Sequence, residues 1–317
     1  MSAGAARSRG HESTASWPLI DRVGLWLCWA AGLALCAVAS AIVIYMLVRG
    51  IQYLRPDLLF SRPQPELDQT KSGGFLDPLI GTFLLTVIGT ALAIVPGVAI
   101  AVWLSEYARP FWLARAVESG VEVVAGTPSI VLAIFGLILF SQQLFGPLSF
   151  TAEGGAVFGR SFLTAGAMMA LIALPLIVGG TREALQAIPR HVREASYALG
   201  KTKIATIRRV LVPAARPGIT TGTALGMGRI AGDTAIVVVL LGASLQMQGA
   251  GGPPVLNTLR GTGSTLTSFV YGNSPAGEGN APDKAYAAAF VLLLIVIGLN
   301  FAVDVIGRRK EALRWSS

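Results

Sequence analysis

Long apolar runs with few or no formal charges are the feature that most constrains this chain. Six of them cover residues 23–48, 78–104, 128–144, 161–180, 217–241 and 285–303. About 20 apolar residues in a helix span the roughly 30 Å hydrocarbon core of a bilayer, and the backbone in lipid must satisfy its own hydrogen bonds. The runs lack the short alternating segments of a β-barrel. The sequence therefore predicts an all-α, polytopic membrane protein with six transmembrane helices, of which the third is the shortest.

Composition and the lack of internal repeats predict a single membrane domain. Charged residues make up 13% of the chain, about half of what a soluble domain carries. We expect a cytoplasmic N-terminal tail at residues 1–22, a transmembrane domain at 23–307 and a cytoplasmic C-terminal tail at 308–317. The first run is too long for the apolar part of a cleavable signal, and no small-residue cleavage site follows it, so we expect an uncleaved anchor.

The placement of the basic residues predicts the orientation of the chain. The net charge is +8, and 17 of the 25 Lys and Arg residues fall in segments that are inside if the N-terminus is cytoplasmic, whereas seven fall outside. Cytoplasmic loops of membrane proteins carry such an excess. We therefore expect a multi-pass membrane protein with both termini in the cytoplasm, and membrane lipid rather than nucleic acid as a partner.

Two segments outside the apolar runs permit alternative interpretations. Residues 105–126 mix charge with aromatic side chains, which suits either a helix along the inner leaflet or a simple inside loop. The outer loop at 242–284 is rich in Gly, Pro, Ser and Asn. Loops of that length are usually functional or mobile, so this one is either a surface for an extracytoplasmic partner or a plain connection.

The sequence offers no metal site. Cys28 and Cys36 lie eight residues apart in the first apolar run, too far apart on one helix for a disulfide. The chain contains two histidines, His11 and His191, so no cluster of metal ligands can be assembled from its spacing.

A polar segment at 181–216 separates the fourth and fifth apolar runs. A short helix is expected to end ahead of Pro189, because the residue before a proline avoids the helical conformation. A second helix is expected over 190–199 with Gly200 at its C-terminal turn, where a left-handed residue costs little. A third, basic and amphipathic helix is expected over 202–212.

This polar segment also contains a spaced motif. Its parts are Glu194, Ala195 and Ser196, three residues, Gly200, nine residues, then Val210, Leu211, Val212 and Pro213. The motif resembles the conserved cytoplasmic loop of ABC importer permeases, which reads Glu-Ala-Ala, three residues, Gly, nine residues, Ile-x-Leu-Pro. In that family the loop docks into a cleft on the ATP-binding subunit and transmits its closure to the membrane helices.

The resemblance implies a type I ABC importer permease fold with residues 181–216 as the coupling segment. It also implies that small residues lie where the ATP-binding subunit packs closely, a role that Ala195, Ser196, Ala198 and Gly200 fit. Glu194 and Pro213 complete the implied coupling site. The alternative is an ordinary cytoplasmic loop with capped helices.

Two charged residues interrupt the fifth apolar run, Arg229 and Asp233. Arg229 is roughly a dozen residues from either end, about 18 Å in a helix, so it must face a polar cavity, a partner helix or an opposite charge. Four residues apart in a helix, the two side chains would lie on one face within pairing reach. They form either a self-neutralising pair or part of a path in which the Arg229 fork binds an oxyanion.

The stretch from Arg229 to Thr234 reads Arg-x-x-Gly-Asp-Thr. It resembles the Arg-x-x-Gly-Glu-Thr motif in the fifth helix of phosphate permeases of the Pst type, where the arginine is implicated in phosphate passage. Asp233 stands where Glu is usual, so its carboxylate is one methylene shorter. Residues 104–110, 126–137 and 274–294 are similar to the A-type permease of the same family. The resemblance implies a substrate path that includes Arg229, Asp233 and Thr234.

The same resemblance implies a transport subunit of the bacterial cytoplasmic membrane rather than an enzyme. Its partners would be a second, homologous permease, two ATP-binding subunits and an extracytoplasmic phosphate-binding protein. Inorganic phosphate would then cross by alternating access. The chain has no glycine-rich phosphate loop followed by Lys and Ser or Thr, so we expect it to bind no cofactor and the ATP-binding subunits to bind ATP and Mg.

Three alternatives compete with phosphate import, and another oxyanion is the nearest of them. The first is an importer of the same type for phosphonate, sulfate or molybdate, since Arg229 alone could bind any of these oxyanions. An intramembrane enzyme would need a metal pair or a Ser/His dyad at membrane depth, which the sequence lacks. A scaffold protein without a transport role would leave the mid-membrane arginine unexplained.

Overall fold

The computed structural model describes residues 18–64, 73–149, 157–242, 247–249, 254–275, 277 and 281–315. Within these ranges the regular structure is helical, which confirms the all-α prediction. The helices are α1 Leu19–Gly50, α2 Pro56–Phe60, α3 Leu76–Val102, α4 Phe111–Gly126, α5 Ser129–Phe140, α6 Phe162–Ala187, α7 Arg190–Ala198, α8 Lys203–Thr206, α9 Val212–Ala214, α10 Arg216–Gly232, α11 Ala235–Leu240, α12 Pro254–Arg260, α13 Leu266–Asn273 and α14 Pro282–Trp315. A π-helical turn, Trp103–Tyr107, extends α3, and another, Ile207–Leu211, joins α8 to α9.

Four helical stretches within the described ranges are long and apolar enough to cross a membrane. They correspond to the first, second, fourth and sixth predicted runs. These stretches are Leu19–Tyr53, Leu76–Tyr107, Phe162–Ala187 and Pro282–Val305. The last belongs to α14, which continues to Trp315 through most of the segment expected as a C-terminal tail.

The third predicted span is not one straight helix. α5 has 12 residues, about 18 Å at 1.5 Å per residue, and is too short to cross the bilayer alone. α4 precedes it at an angle of 107°, and only the two together are long enough for a broken span or a re-entrant pair. The bend falls at Thr127, whose backbone is extended because Pro128 follows it. The segment at 105–126 is thus largely helical rather than a simple loop.

The fifth predicted span is interrupted near its end. α10 ends at Gly232, and α11 begins at Ala235. Asp233 between them has an extended backbone with φ −78° and ψ 126°. The run therefore consists of a 17-residue helix and a 6-residue helix, and not of one continuous helix.

The chain divides into two compact units, one up to Arg49 and one from Gly50 onward. The described part of the first unit is α1, which begins at Leu19, inside the predicted N-terminal tail; residues 1–17 lie outside the described ranges. α1 is apolar on all sides, as expected of a helix in lipid. Cys28 and Cys36 are both free and exposed on it.

The core of the second unit is formed by α3, α5, α6, α10 and α11. Helix α6 lies at its centre, and 61% of its most apolar 18-residue stretch is buried. Long apolar side chains from the surrounding helices fill the core. Among the largest that are fully buried are Leu85, Phe162, Met169, Ile177, Ile230, Ile236 and Leu240.

Part of the predicted outer loop at 242–284 is folded into the second unit. Leu266 and Phe269 of α13 are buried, and the Phe269 ring meets Phe75 edge to face at 5.3 Å. Thr265 starts α13 with a capping box that also uses Ser268. The described part of the loop therefore contributes a helix to a second apolar cluster of this unit, together with Phe75, Ala287 and Ala288, which a plain connection would not do. Residues 243–246, 250–253 and 278–280 lie outside the described ranges.

Candidate functional site

The predicted coupling segment contains one short helix that is set off from its neighbours. α6 continues to Ala187 and ends at Ile188, so the first predicted helix is the end of α6 and stops ahead of Pro189 as expected. α7 confirms the second, and Gly200 has the left-handed φ of +74°. The Gly200 amide donates to Tyr197 O at 2.9 Å and the Lys201 amide to Ser196 O at 3.2 Å. These two backbone hydrogen bonds are the pattern found where a helix ends at a glycine.

The motif residues of α7 do not all lie on its surface. Glu194, Ala195, Ala198 and Gly200 are exposed. Ser196 is buried, and its Oγ lies 2.9 Å from Thr206 Oγ1. The interpretation of Ser196 as a small residue presented to a partner is therefore wrong for this structure: its hydroxyl joins α7 to α8.

A large apolar side chain at the end of α7 was not singled out from the sequence. Leu199 is 78% exposed and lies between Ala198 and Gly200, within the candidate docking surface. An apolar residue next to a helix-ending glycine, in a segment that is otherwise polar, was the signal available. We call Ala195, Ala198, Leu199 and Gly200 the α7 surface.

The third predicted helix consists of α8, a π-helical turn and α9. Thr202 begins α8, accepting a hydrogen bond from the Ala205 amide. Ile207 and Leu211 are buried in an apolar cluster with Leu185, whereas Ile204 of the same segment is 70% exposed. The π-helical turn shifts the register of the helix, so the predicted apolar face is only partly formed. Pro213 is half-buried in α9, at the point where the segment leads into α10.

Arg193 anchors α7 to two other helices. Its Nε donates to Glu106 Oε1 at 3.1 Å, and its Nη2 lies 3.1 Å from the same oxygen. Nη1 donates to Ile188 O at 2.6 Å and Nη2 to Leu185 O at 2.8 Å. The Glu106 side chain is 7% exposed and that of Arg193 is 19% exposed. One guanidinium thus binds the turn that follows α3 and the last carbonyls of α6.

Arg229 and Asp233 do not form the predicted pair. The spacing of four residues brings side chains together only in a continuous helix, and α10 ends between them at Gly232. Asp233 Oδ1 instead accepts a hydrogen bond from the Ile236 amide at 2.9 Å, in the first turn of α11. Arg229 lies in the last turn of α10 and is exposed. Thr234, the third predicted path residue, is half-buried at the start of α11.

Hydroxyl groups from α3 and α13 hold the break between α10 and α11. Thr267 Oγ1 donates to Asp233 O at 3.3 Å and lies 2.7 Å from Thr265 Oγ1. Thr82 Oγ1 accepts from the Leu266 amide at 2.8 Å. Non-helical backbone at membrane depth is tolerated where protein groups satisfy it, and these contacts meet that condition.

Helix α10 has one open face and one tightly packed face. Pro217, Thr221, Leu225 and Arg229, spaced by four residues, are exposed and form a stripe, which we call the α10 stripe. The packed face carries Gly218, Gly222 and Gly226 against α6. A Cβ at Gly222 would lie 2.8 Å from Leu176 O, and one at Gly226 would lie 3.3 Å from Ala173 Cβ.

These three glycines are spaced by four residues, a pattern that favours close contact between membrane helices. This spacing is visible in the sequence, although the sequence does not show which helix the glycines contact. Gly232, at the end of the same helix, has no neighbour within 4 Å of an added Cβ.

A comparison with known protein families finds one family that matches most of this chain. Residues 94–312 match the family of binding-protein-dependent transport system inner membrane components. The chain belongs to this family. The match covers α4 to α13, the end of α3 and nearly all of α14, so it includes the α7 surface and the α10 stripe.

Curated relatives in this permease family carry names that refer to phosphate. Over 240 residues the chain is 32% identical to "Phosphate transport system permease protein PstA 1" of Mycobacterium tuberculosis, covering 76% of this chain and 72% of the relative. It is 30% identical over 249 residues to "Phosphate transport system permease protein PstC" of Xylella fastidiosa, covering 74% and 72%.

Solved structures of importer permeases share the fold. A bacterial alginate ABC transporter chain aligns with a TM-score of 0.60 at 15% identity, covering 91% of this chain and 96% of that one. A chain of the MetNI methionine ABC transporter in an inward-facing conformation aligns with a TM-score of 0.56 at 21% identity, covering 73% and 94%. The predicted importer permease fold is thereby confirmed.

Proposed function

We propose that this chain is a membrane permease subunit of an ATP-binding-cassette phosphate importer, equivalent to the A-type permease. In this proposal it forms the path for inorganic phosphate together with a second, homologous permease and works by alternating access. Family membership and the names of its relatives support the transport role and the substrate.

Arg229 is the observation that carries the proposal. It lies about 20 Å along α10 from Arg216, in a run that is otherwise uncharged up to Asp233. It is exposed, and no hydrogen bond or ion pair of Arg229 is found within the described part of the chain. A charge at that depth in lipid costs several kcal/mol, so the α10 stripe faces water or a second permease. The guanidinium fork offers several fixed donors, which suits a tetrahedral oxyanion.

Asp233 and Thr234 contribute to the same path in a different way from the one expected. Because the Asp233 carboxylate caps α11, it keeps the break in the helix that follows Arg229. Thr234 begins α11 on the far side of that break. We propose that Arg229 meets the anion and that Asp233 and Thr234 shape the backbone beside it.

The α7 surface supports a dependence on ATP-binding subunits. Its small residues and exposed Leu199 suit insertion into a cleft on a partner, and the neighbouring Glu194 is exposed as well. We propose two such subunits, which bind and hydrolyse ATP with Mg, while this chain is not itself an enzyme. An extracytoplasmic phosphate-binding protein delivers the substrate, in keeping with the family description.

The experiment that tests the function is uptake of labelled phosphate into proteoliposomes. The complex contains this chain, the second permease, the ATP-binding subunits and the binding protein, and uptake is measured with and without ATP. We expect ATP-dependent uptake by the native chain, a loss of at least about tenfold for Arg229→Gln and a smaller loss for Arg229→Lys, which keeps the charge. Arg160→Gln removes the same charge from an exposed position outside the helices and serves as the matched control.

Competition by other oxyanions separates phosphate from the rival substrates. Excess sulfate, molybdate or phosphonate is expected to leave phosphate uptake unchanged. Strong inhibition by one of them would indicate that the complex transports that anion instead of phosphate. Full uptake by Arg229→Gln, with assembly intact, would remove Arg229 from the path.

A further inference from the structure

The candidate coupling helix α7 is attached to the rest of the chain mainly by polar contacts. None of the four apolar clusters formed by the described residues includes a residue of α7. Ser196 is the buried residue of this helix, and it contacts Thr206 in the same cytoplasmic segment. Arg193 is the residue whose side chain reaches the ends of the membrane helices.

The geometry of Arg193 makes this attachment stiff. All three guanidinium nitrogens are used, two on Glu106 Oε1 and two on the carbonyls at the end of α6, with Nη2 serving both. A fork whose directions are fixed by several acceptors has little freedom to turn. The positive charge also lies where the C-terminal end of α6 is negative. Any displacement of α7 must therefore move both helix ends or break a nearly buried ion pair.

We propose that the Glu106–Arg193 ion pair is a positioning contact that converts movement of α7 into movement of α3 and α6 together. This inference rests on the proposed function, because it assumes that an ATP-binding subunit moves α7. The two residues touch neither phosphate nor ATP; they act through the helices that they hold.

The packing between α6 and α10 extends this contact to the proposed substrate path. The glycine face of α10 lies directly on the α6 backbone, with Gly218 O 2.9 Å from the position of a Cβ at Gly180. Because no flexible side chain separates the two helices there, a shift of α6 toward α10 must move α10 as well. The other face of α10 carries Arg229. A continuous set of contacts thus leads from α7 to the α10 stripe.

The test measures phosphate transported per ATP hydrolysed in the proteoliposome complex described above. Glu106→Gln keeps the size of the side chain and removes its charge, whereas Arg193→Gln also removes the contacts to α6. We expect both variants to assemble and to hydrolyse ATP at near-native rates, while the transport ratio falls about fivefold or more. The double variant is expected to be no worse than Arg193→Gln, since both changes break the same contact.

Glu118→Gln is the matched control. Glu118 of α4 forms an ion pair with Arg182 near the end of α6, and neither residue of this pair belongs to α7. In the Glu118→Gln complex, the phosphate transported per ATP hydrolysed should stay at the native value. A merely structural role of the Glu106–Arg193 pair would lower assembly and ATP hydrolysis in proportion to transport, leaving the ratio unchanged.

The proposal is overturned if Glu106→Gln and Arg193→Gln keep the native ratio, or if Glu118→Gln lowers it equally. If Arg193→Gln does not assemble, Glu106→Gln alone decides. Failure of the proposed function would be visible earlier, as an absence of ATP-dependent phosphate uptake by the native complex before any substitution is made.

Discussion

Asp233 carries a charge and also caps a helix, and two substitutions separate these properties. Asp233→Ala removes the acceptor for the Ile236 amide, and loss of a side-chain cap costs about 1 kcal/mol. Asp233→Asn keeps an oxygen in the same place. We therefore expect the free energy of unfolding to fall by about 1 kcal/mol for the Ala variant and to stay near native for the Asn variant, measured by thermal unfolding in detergent. Equal destabilisation by both would contradict the capping role.

The same residue shows what a local pattern cannot predict. The spacing from Arg229 to Asp233 predicts a pair only if the helix continues through Gly232. At the break, Asp233 O accepts a hydrogen bond from Thr267, which is 34 positions further along the chain, and no local spacing predicts that contact. Gly200 is the opposite case, because its helix-ending conformation is set by its own backbone and its neighbours. The prediction at Gly200 was accordingly correct.

At the scale of elements, the contact between α6 and α10 depends on glycines, and the chain contains its own control. A Cβ at Gly222 would lie 2.8 Å from Leu176 O and 3.2 Å from the Ile177 Cα, whereas a Cβ at Gly232 has nothing within 4 Å. Backbone atoms cannot yield as the end of a side chain can. Gly222→Ala is therefore expected to lower the unfolding free energy by about 1–3 kcal/mol and Gly232→Ala to change it by no more than about 0.5 kcal/mol.

Both substitutions are made in one helix and replace the same residue type, so differences in helix propensity largely cancel. Thermal unfolding in one detergent, together with the yield of folded protein, measures the difference. If Gly222→Ala were as stable as Gly232→Ala, α6 and α10 would not be in the close contact that the structure shows.

Element boundaries could be predicted where proline or glycine sets them. The ends of α6 at Pro189 and of α4 near Pro128 follow from the restriction on the residue before proline. The 107° angle between α4 and α5 could not be predicted, because a proline marks the bend without fixing the direction in which the next helix packs. The contact of Arg193 with Glu106, 87 positions away, leaves no periodic trace in either segment.

At the scale of the whole molecule, the basic residues and the α7 surface require the same side of the membrane. Loops rich in Lys and Arg remain in the cytoplasm, and an ATP-binding subunit is available only there. This shared location of the basic loops and the α7 surface does not depend on the substrate, since it would hold for any importer of this family. Orientation therefore tests the membrane arrangement separately from the substrate.

Labelling of single cysteines with a membrane-impermeant maleimide measures this orientation. In a background of Cys28→Ala and Cys36→Ala, Arg208→Cys probes the exposed side of the coupling segment, and Val255→Cys probes α12, where the native side chain is 70% exposed. We expect Arg208→Cys to be labelled in inside-out vesicles and protected in intact cells, and Val255→Cys to behave in the opposite way. The reverse result would place the α7 surface outside the cell, where no ATP-binding subunit could reach it. Labelling of both positions from one side would mean that the broken run of α10 and α11 returns to the side from which it enters, because it is the one apolar run between the two positions.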